Sequence, residues 1–221
     1  MSSQFSPGEI LSILVAWIVL SFAISYYNIV QLATSTGNGS VALIIAAFIA
    51  TATGFIIHEM GHKFVAIRRG HVAHFRVWVW GLVLTLVTAV ASNGSFLFGA
   101  PGAVYIAPTV ASGYYGYYGY QSRRYDPEWD NMIISAAGPG INLLFALGFL
   151  ALFISATPMS FLSAVAQYGF FLNVGLGSFN MLPIPPLDGS KIFRKNIAVA
   201  LGLAGPLWFM FVYFLLLAQT A

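Results

Sequence analysis

The sequence predicts an α-helical polytopic membrane protein, with five or six transmembrane helices and a small membrane-associated β segment. Three observations predict it. Of 221 residues, 59% are hydrophobic and only 7% carry charge, against about 25% charged in an average soluble domain. Apolar runs long enough to span a bilayer, about 20 residues each, recur along the chain. All nine Lys and Arg residues fall in three stretches, 63–76, 123–124 and 191–195, as in loops gathered on one side of a membrane. The absence of cysteine excludes disulfides, thiolate metal ligands, iron–sulfur clusters and cysteine nucleophiles. A net charge of +3 is too small to argue for nucleic acid, so none is expected as a partner.

Taken in order, residues 1–9 are polar, lack Lys and Arg, and show no signal-peptide pattern. Ile10 to Leu32 is a first span; Tyr26, Tyr27, Asn28 and Gln31 in its second half suit an interface or a helix contact. A Gly/Ser/Thr/Asn turn follows over 34–40. Val41 to about Ala66 is the second span, and a basic exit with Lys63, Arg68, Arg69, His71, His74 and Arg76 ends it. His71 and His74 are expected at the interfacial surface. Trp78 to Val90 is apolar but short of a full crossing. Phe96 to Ile106 is β-prone and broken by Gly99, Pro101 and Gly102, which predicts a strand rather than a helix. The tyrosine-rich run 113–120 predicts a headgroup-level loop. Asn131 to Ala156, Phe161 to about Leu182, and Ile197 to Leu217 are three more spans. Gly138 and Gly140 predict close helix approach. Asn142 is a polar group at membrane depth, set to bond a neighbouring helix or to face a site. Pro183, Pro185 and Pro186 end the fourth span.

The basic stretches set the topology. Placed together on the cytoplasmic face, they require an even number of crossings between 76 and 123. One proline-interrupted apolar stretch cannot supply two, so residues 77–110 should enter and return. Five full spans follow, with the amino terminus inside.

The second span carries the chemistry. Phe55-Ile-Ile-His58-Glu59-Met-Gly-His62-Lys63 reads His-Glu-x-x-His. Residues four apart share one face of a helix, so His58 and His62 can hold one zinc ion, and Glu59 can reach a water on it. A chance match or a buried histidine pair is the bland alternative. Ionisable groups at membrane depth cost roughly 2.5–3.5 kcal/mol each on insertion scales and mark function, which favours the sharper reading. A catalytic zinc site takes a third protein ligand and keeps one position open. The six acidic residues are Glu9, Glu59, Asp126, Glu128, Asp130 and Asp188. Charge places Glu9 at the opposite end of the fold. Asp126, Glu128 and Asp130 sit in a hydrophilic connector. Asp188 stands alone on a proline-broken turn, with Gly189 easing the backbone beside it, and is the candidate. A cap or an ion pair with Lys191 is the other reading of Asp188.

Together these residues resemble the site-2 protease family of intramembrane zinc metalloproteases. Asn180-Met-Leu-Pro183-Ile-Pro-Pro-Leu-Asp188-Gly189 is similar to the family's Asn-x-x-Pro…Asp-Gly setting, and Ala137-Gly138-Pro139…Asn142 also looks like the family. The resemblance covers about residues 41–195. It implies that His58, His62 and Asp188 bind Zn2+ and that Glu59 is the catalytic acid/base. It implies a single intramembrane metalloprotease domain over 1–221 with its core at about 41–195, and no PDZ or CBS domain. The expected activity is hydrolysis of peptide bonds within or near transmembrane segments of membrane-protein substrates, as in regulated intramembrane proteolysis. The expected setting is the lipid bilayer of the cell membrane, multi-pass, with the active site toward the cytoplasm. Asn142 is expected to steady substrate or oxyanion. Two other classes stay open: a non-proteolytic zinc-binding scaffold, and a metal or ion transporter. The intact Glu59 argues against the first, and the lack of repeats and of polar residues spread through several spans argues against the second.

Overall fold

The computed structural model describes residues 5–34, 40–95, 97, 99, 101–107 and 127–220. The tyrosine-rich run 113–120, Arg123, Arg124, Asp126 and most of the 34–40 turn lie outside the described residues. The order of elements is α1 (Pro7–Thr34), α2 (Val41–Thr51), a π turn (Ala52–Ile56), α3 (Ile57–Arg68), β1 (Val72–Val77), α4 (Val79–Ala91), β2 (Gly102–Ala107), α5 (Pro127–Ser155), α6 (Phe161–Asn180), α7 (Asp188–Lys195) and α8 (Ile197–Thr220).

Among the described residues, four helical runs are long and apolar enough to cross a bilayer: Pro7–Thr34, Val41–Arg68, Pro127–Ser155 and Ile197–Leu216. The second of these runs unbroken through α2, the π turn and α3. Helix α6 is also 20 residues long, but Gln167, Asn173 and Asn180 dilute its apolar character. With α6 counted, the long helices are roughly consistent with the five or six transmembrane helices expected from the sequence.

Small residues set the helix spacing. A Cβ at Gly54 would sit 3.4 Å from Leu172 on α6, and one at Gly177 would sit 3.0 Å from Asn142 on α5. Such gaps let backbones approach in lipid, where packing rather than water exclusion holds helices together. One apolar core joins Met132, Met181, Ile192, Ala204 and Leu207 from α5, the α6–α7 turn, α7 and α8. A second joins Ala16 and Leu20 of α1 to Phe55 of the π turn and Phe75 of β1. The indole N–H of Trp17 donates to the Phe48 carbonyl at 3.0 Å, and Asn28 donates to the Tyr168 hydroxyl at 3.0 Å. The polar groups in the first span therefore serve helix contacts.

The two ends of residues 77–102 lie side by side, which agrees with the even number of crossings that the charge pattern required. Strands β1 and β2 pair antiparallel, with Val77 opposite Gly102 and Val72 opposite Ala107. The short helix α4 leads away from the sheet, and the chain is back beside its starting point at Pro101, whose carbonyl accepts from Trp78 N–H at 3.0 Å. Strand β1 replaces what the sequence suggested was only a basic exit. Its Ala73 and Phe75 are buried while Val72, His74 and Arg76 face outward, the alternation of a half-buried strand.

Three placements differ from expectation. Glu9 is not at the opposite end of the fold: it is buried against Lys63, whose ammonium donates to its Oε1 at 2.5 Å. Asp130 is not part of a solvated connector. It is buried in the first turn of α5, ion-paired with Arg69 and 3.3 Å from His71. His71 is accordingly buried, whereas His74 is exposed as expected. A carboxylate at the start of a helix is favoured by the local dipole, and Asp130 uses that position to tie α5 to the end of α3.

Candidate metal centre

Helix α3 begins one residue after the π turn and presents His58, Glu59 and His62, all buried. The imidazoles lie edge to face, with their Nε2 atoms 3.0 Å apart. The Nδ1 of His62 donates to the Ile134 carbonyl at 2.8 Å; a carbonyl only accepts, so a proton is on Nδ1, and in the neutral imidazole the lone pair is then on Nε2. The Nδ1 of His58 lies 2.5 Å from Asn142 Oδ1. The Asn142 Nδ2 donates to the Gly54 carbonyl at 2.9 Å, which turns Oδ1 toward His58 and makes His58 Nδ1 a donor too. Both histidines therefore offer Nε2.

Asp188 arrives from the first residue of α7. The prolines between 183 and 186 prevent α6 from continuing, and the resulting turn redirects the chain. Gly189 is needed for space: a Cβ there would lie 2.6 Å from the Leu182 carbonyl oxygen and would also collide with that of Met181. Asp188 Oδ2 stands 3.6 Å from His58 Nε2 and 3.1 Å from His62 Nε2. Its Oδ1 is 3.8 Å from Lys191, so the ion pair considered from sequence coexists with the convergence on the histidines. A carboxyl group is ordinarily ionised at neutral pH, so Asp188 brings an anionic donor.

These three residues are the described group able to hold a metal ion. Zinc bonds of about 2.0–2.1 Å in a tetrahedron place ligand atoms about 3.3–3.4 Å apart. The observed 3.0, 3.1 and 3.6 Å bracket that edge. Two lone pairs and an anion at this separation repel unless a cation sits among them, so the donor set fits zinc. Two imidazoles and one carboxylate are also the chemistry zinc accepts.

The remaining walls serve the same cluster. Gly138 faces it directly: a Cβ there would lie 2.5 Å from His58 Cε1 and 2.5 Å from His62 Nε2. The sequence suggested only close helix packing for Gly138; the Gly138-Pro139 pair on a span that faces a histidine motif was the available signal. Glu59 Oε2 accepts from the Val104 backbone N–H at 3.0 Å, which joins the motif helix to β2. The Asn142 amide is occupied by His58, Gly54 and Asn173. The π turn itself had no compositional signature, although such turns gather at functional sites.

The fold and the centre define a class: a polytopic helical membrane protein with a candidate His–His–Asp metal site set between its helices. The chain belongs to peptidase family M50, the site-2 proteases, whose family model matches residues 44–167 and 155–218. In Methanocaldococcus jannaschii, the protein named "Putative zinc metalloprotease MJ0611" is 34% identical over 193 residues, covering 87% of each chain. No solved structure matches this chain. Zinc is the cofactor that the family and the donor set have in common.

Proposed function

We propose that this protein is an intramembrane zinc metalloendopeptidase that cuts membrane-spanning substrates near the end of the bundle that carries its basic residues. The observation that carries the reading is the convergence of His58, His62 and Asp188 beside a buried carboxylate, Glu59, in a chain of peptidase family M50. His58 and His62 through Nε2, and Asp188 through Oδ2, would hold the metal. Zinc, when bound, supplies a Lewis acid that acidifies water and polarises a peptide carbonyl. Glu59 takes a proton from the attacking water and returns it to the departing amine, so that a C–O bond replaces the C–N bond.

Strand β2 supports substrate entry. Phe75 N–H donates to Glu9 at 2.8 Å and Val104 N–H to Glu59 at 3.0 Å. Since Phe75 pairs with Val104, this is a pair whose amides point away from each other, and β2 presents an outer edge on the side of Glu59. An unwound substrate segment needs hydrogen-bond partners in lipid, and strand addition along that edge supplies them. Favoured substrates would be transmembrane segments with helix-breaking residues. By the positive-inside rule the site faces the cytoplasm of a cell membrane, and the catalytic unit is the single domain read from the sequence.

The test is a cleavage assay of the purified protein on a membrane peptide, with and without chelator, beside Glu59→Gln. Removing the acid/base should lower turnover by about 10²–10⁴-fold while metal analysis still finds one zinc per chain. Undiminished cleavage by Glu59→Gln would reject the assignment, and cleavage that survives complete zinc removal would reject the metal's role.

A further inference from the structure

We infer that Asn142 and Asn173 are positioning residues for the metal centre: a two-amide relay that runs from α6 through α5 to His58 and fixes which imidazole nitrogen faces the metal. The inference rests on the proposal that His58 is a ligand.

Both side chains are fully buried, at 0% exposure, in spans where lipid offers no partner for an amide. The relay is anchored at two points on backbone carbonyls, which can only accept, and Asn173 Nδ2 also lies 3.4 Å from the Thr53 hydroxyl. The Gly169 carbonyl, at 2.8 Å, takes the amide N–H of Asn173. That anchor leaves Asn173 Oδ1 pointing at Asn142, whose Nδ2 donates to it at 2.9 Å. The second N–H of Asn142 is held by the Gly54 carbonyl of the π turn at 2.9 Å. With both protons of its amide nitrogen used, Asn142 can offer His58 only its oxygen, at 2.5 Å. His58 must then carry its proton on Nδ1 and its lone pair on Nε2, toward Asp188 and His62. A flipped Asn142 would set an amide nitrogen against His58 Nδ1 and select the wrong tautomer; Asn173 and Gly54 prevent the flip.

A purely structural account gives the two asparagines one task, bonding helices together. The relay account adds dependence on an acceptor at position 173, not merely on a side chain that packs there. Asn173→Asp keeps the oxygen that receives the Asn142 amide proton; Asn173→Leu does not.

The experiment uses the full chain in detergent and measures zinc affinity by competition with a chromophoric chelator, with thermal unfolding followed in parallel. Histidine ¹⁵N spectra of the metal-free protein report the His58 tautomer. Asn142→Leu should weaken zinc binding by about 10–100-fold, the usual effect of losing a partner behind a metal-ligating histidine, and should lose the signature of an Nδ1-protonated His58. Asn173→Leu should weaken it by several-fold. Asn173→Asp should bind zinc within about twofold of the parent even where its unfolding midpoint drops. Wild-type zinc affinity in both leucine variants would overturn the relay, and so would an equal loss in Asn173→Asp and Asn173→Leu. If Asn142→Leu does not fold, the two Asn173 variants decide. His58→Ala keeps the two proposals apart: undiminished zinc binding there sinks the ligand assignment, whereas loss there with none in the leucine variants sinks the relay alone.

Discussion

His62 and Lys63 are neighbours on one helix, both buried, and they sit in two differently built polar clusters. On the His62 side, two imidazole Nε2 atoms and a carboxylate oxygen converge on one point. On the Lys63 side a cation and an anion are paired directly, although the second Glu9 oxygen has no hydrogen-bond partner among the described residues. The ammonium is held by Glu9 and lies 3.8 Å over the Phe5 ring, and the same Glu9 oxygen accepts from Phe75 N–H. The comparison teaches how to tell a site from a strut at membrane depth. Burial and charge are common to both. What differs is whether a cation and an anion are already paired or several metal-ligand atoms converge on one point.

Substitutions can break that comparison at either end. The largest effect should come from Gly138→Ala, whose methyl would enter the space among the histidines. Zinc affinity should fall by at least about 100-fold, at or beyond the upper end for a lost outer-shell partner, and cleavage should fall with it; chelator competition and the peptide assay measure both. Next, Lys63→Met alone leaves a carboxylate buried without its cation and should lower stability by about 3–5 kcal/mol, read from denaturant or thermal unfolding. Zinc affinity of the folded fraction should stay within about threefold, a small change beside those of lost metal-supporting groups. A smaller loss is expected when Glu9→Leu is combined with Lys63→Met. Replacing a whole buried pair is often neutral, but Phe75 N–H loses its acceptor, so about 1–3 kcal/mol should remain. The smallest change should follow Arg69→Gln. Its pair with Asp130 is partly solvated and Asp130 keeps His71, so about 1 kcal/mol or less is expected. A Lys63→Met protein that folds normally but has lost zinc would erase the distinction.

How much of this was legible depends on the residue. His58, Glu59 and His62 could be read because a helix converts spacing into direction. Asp188 could be read because it stood alone among apolar segments on a turn made by prolines. The return of residues 77–107 could be read from the distribution of Lys and Arg alone. Glu9 was misplaced even though the same charge pattern, by putting the amino terminus inside, sets it on the side of the metal motif; its burial was not legible because the pairing with Lys63 joins two different spans. Strand β1 was missed because its outward His74 and Arg76 were counted as charges rather than as one side of an alternation with Ala73 and Phe75. Asp130 looked like surface because its partners, Arg69 and His71, come from a distant part of the chain. Asn142 was noticed as a polar group in lipid, but its role needed three partners from three elements, which no local pattern encodes.

The Glu9–Lys63 pair also bears on how the chain enters a membrane. Glu9 lies 25 residues before the end of α1 and Lys63 lies 22 residues after the start of α2, so at 1.5 Å per residue they reach nearly equal height, about 37 and 33 Å from the connecting bend. The first two spans therefore make a helical hairpin whose opposite charges meet at its open end. Inserted as a couple, they bring no net charge to that level of the lipid, and this neutrality is available before any later helix has been synthesised.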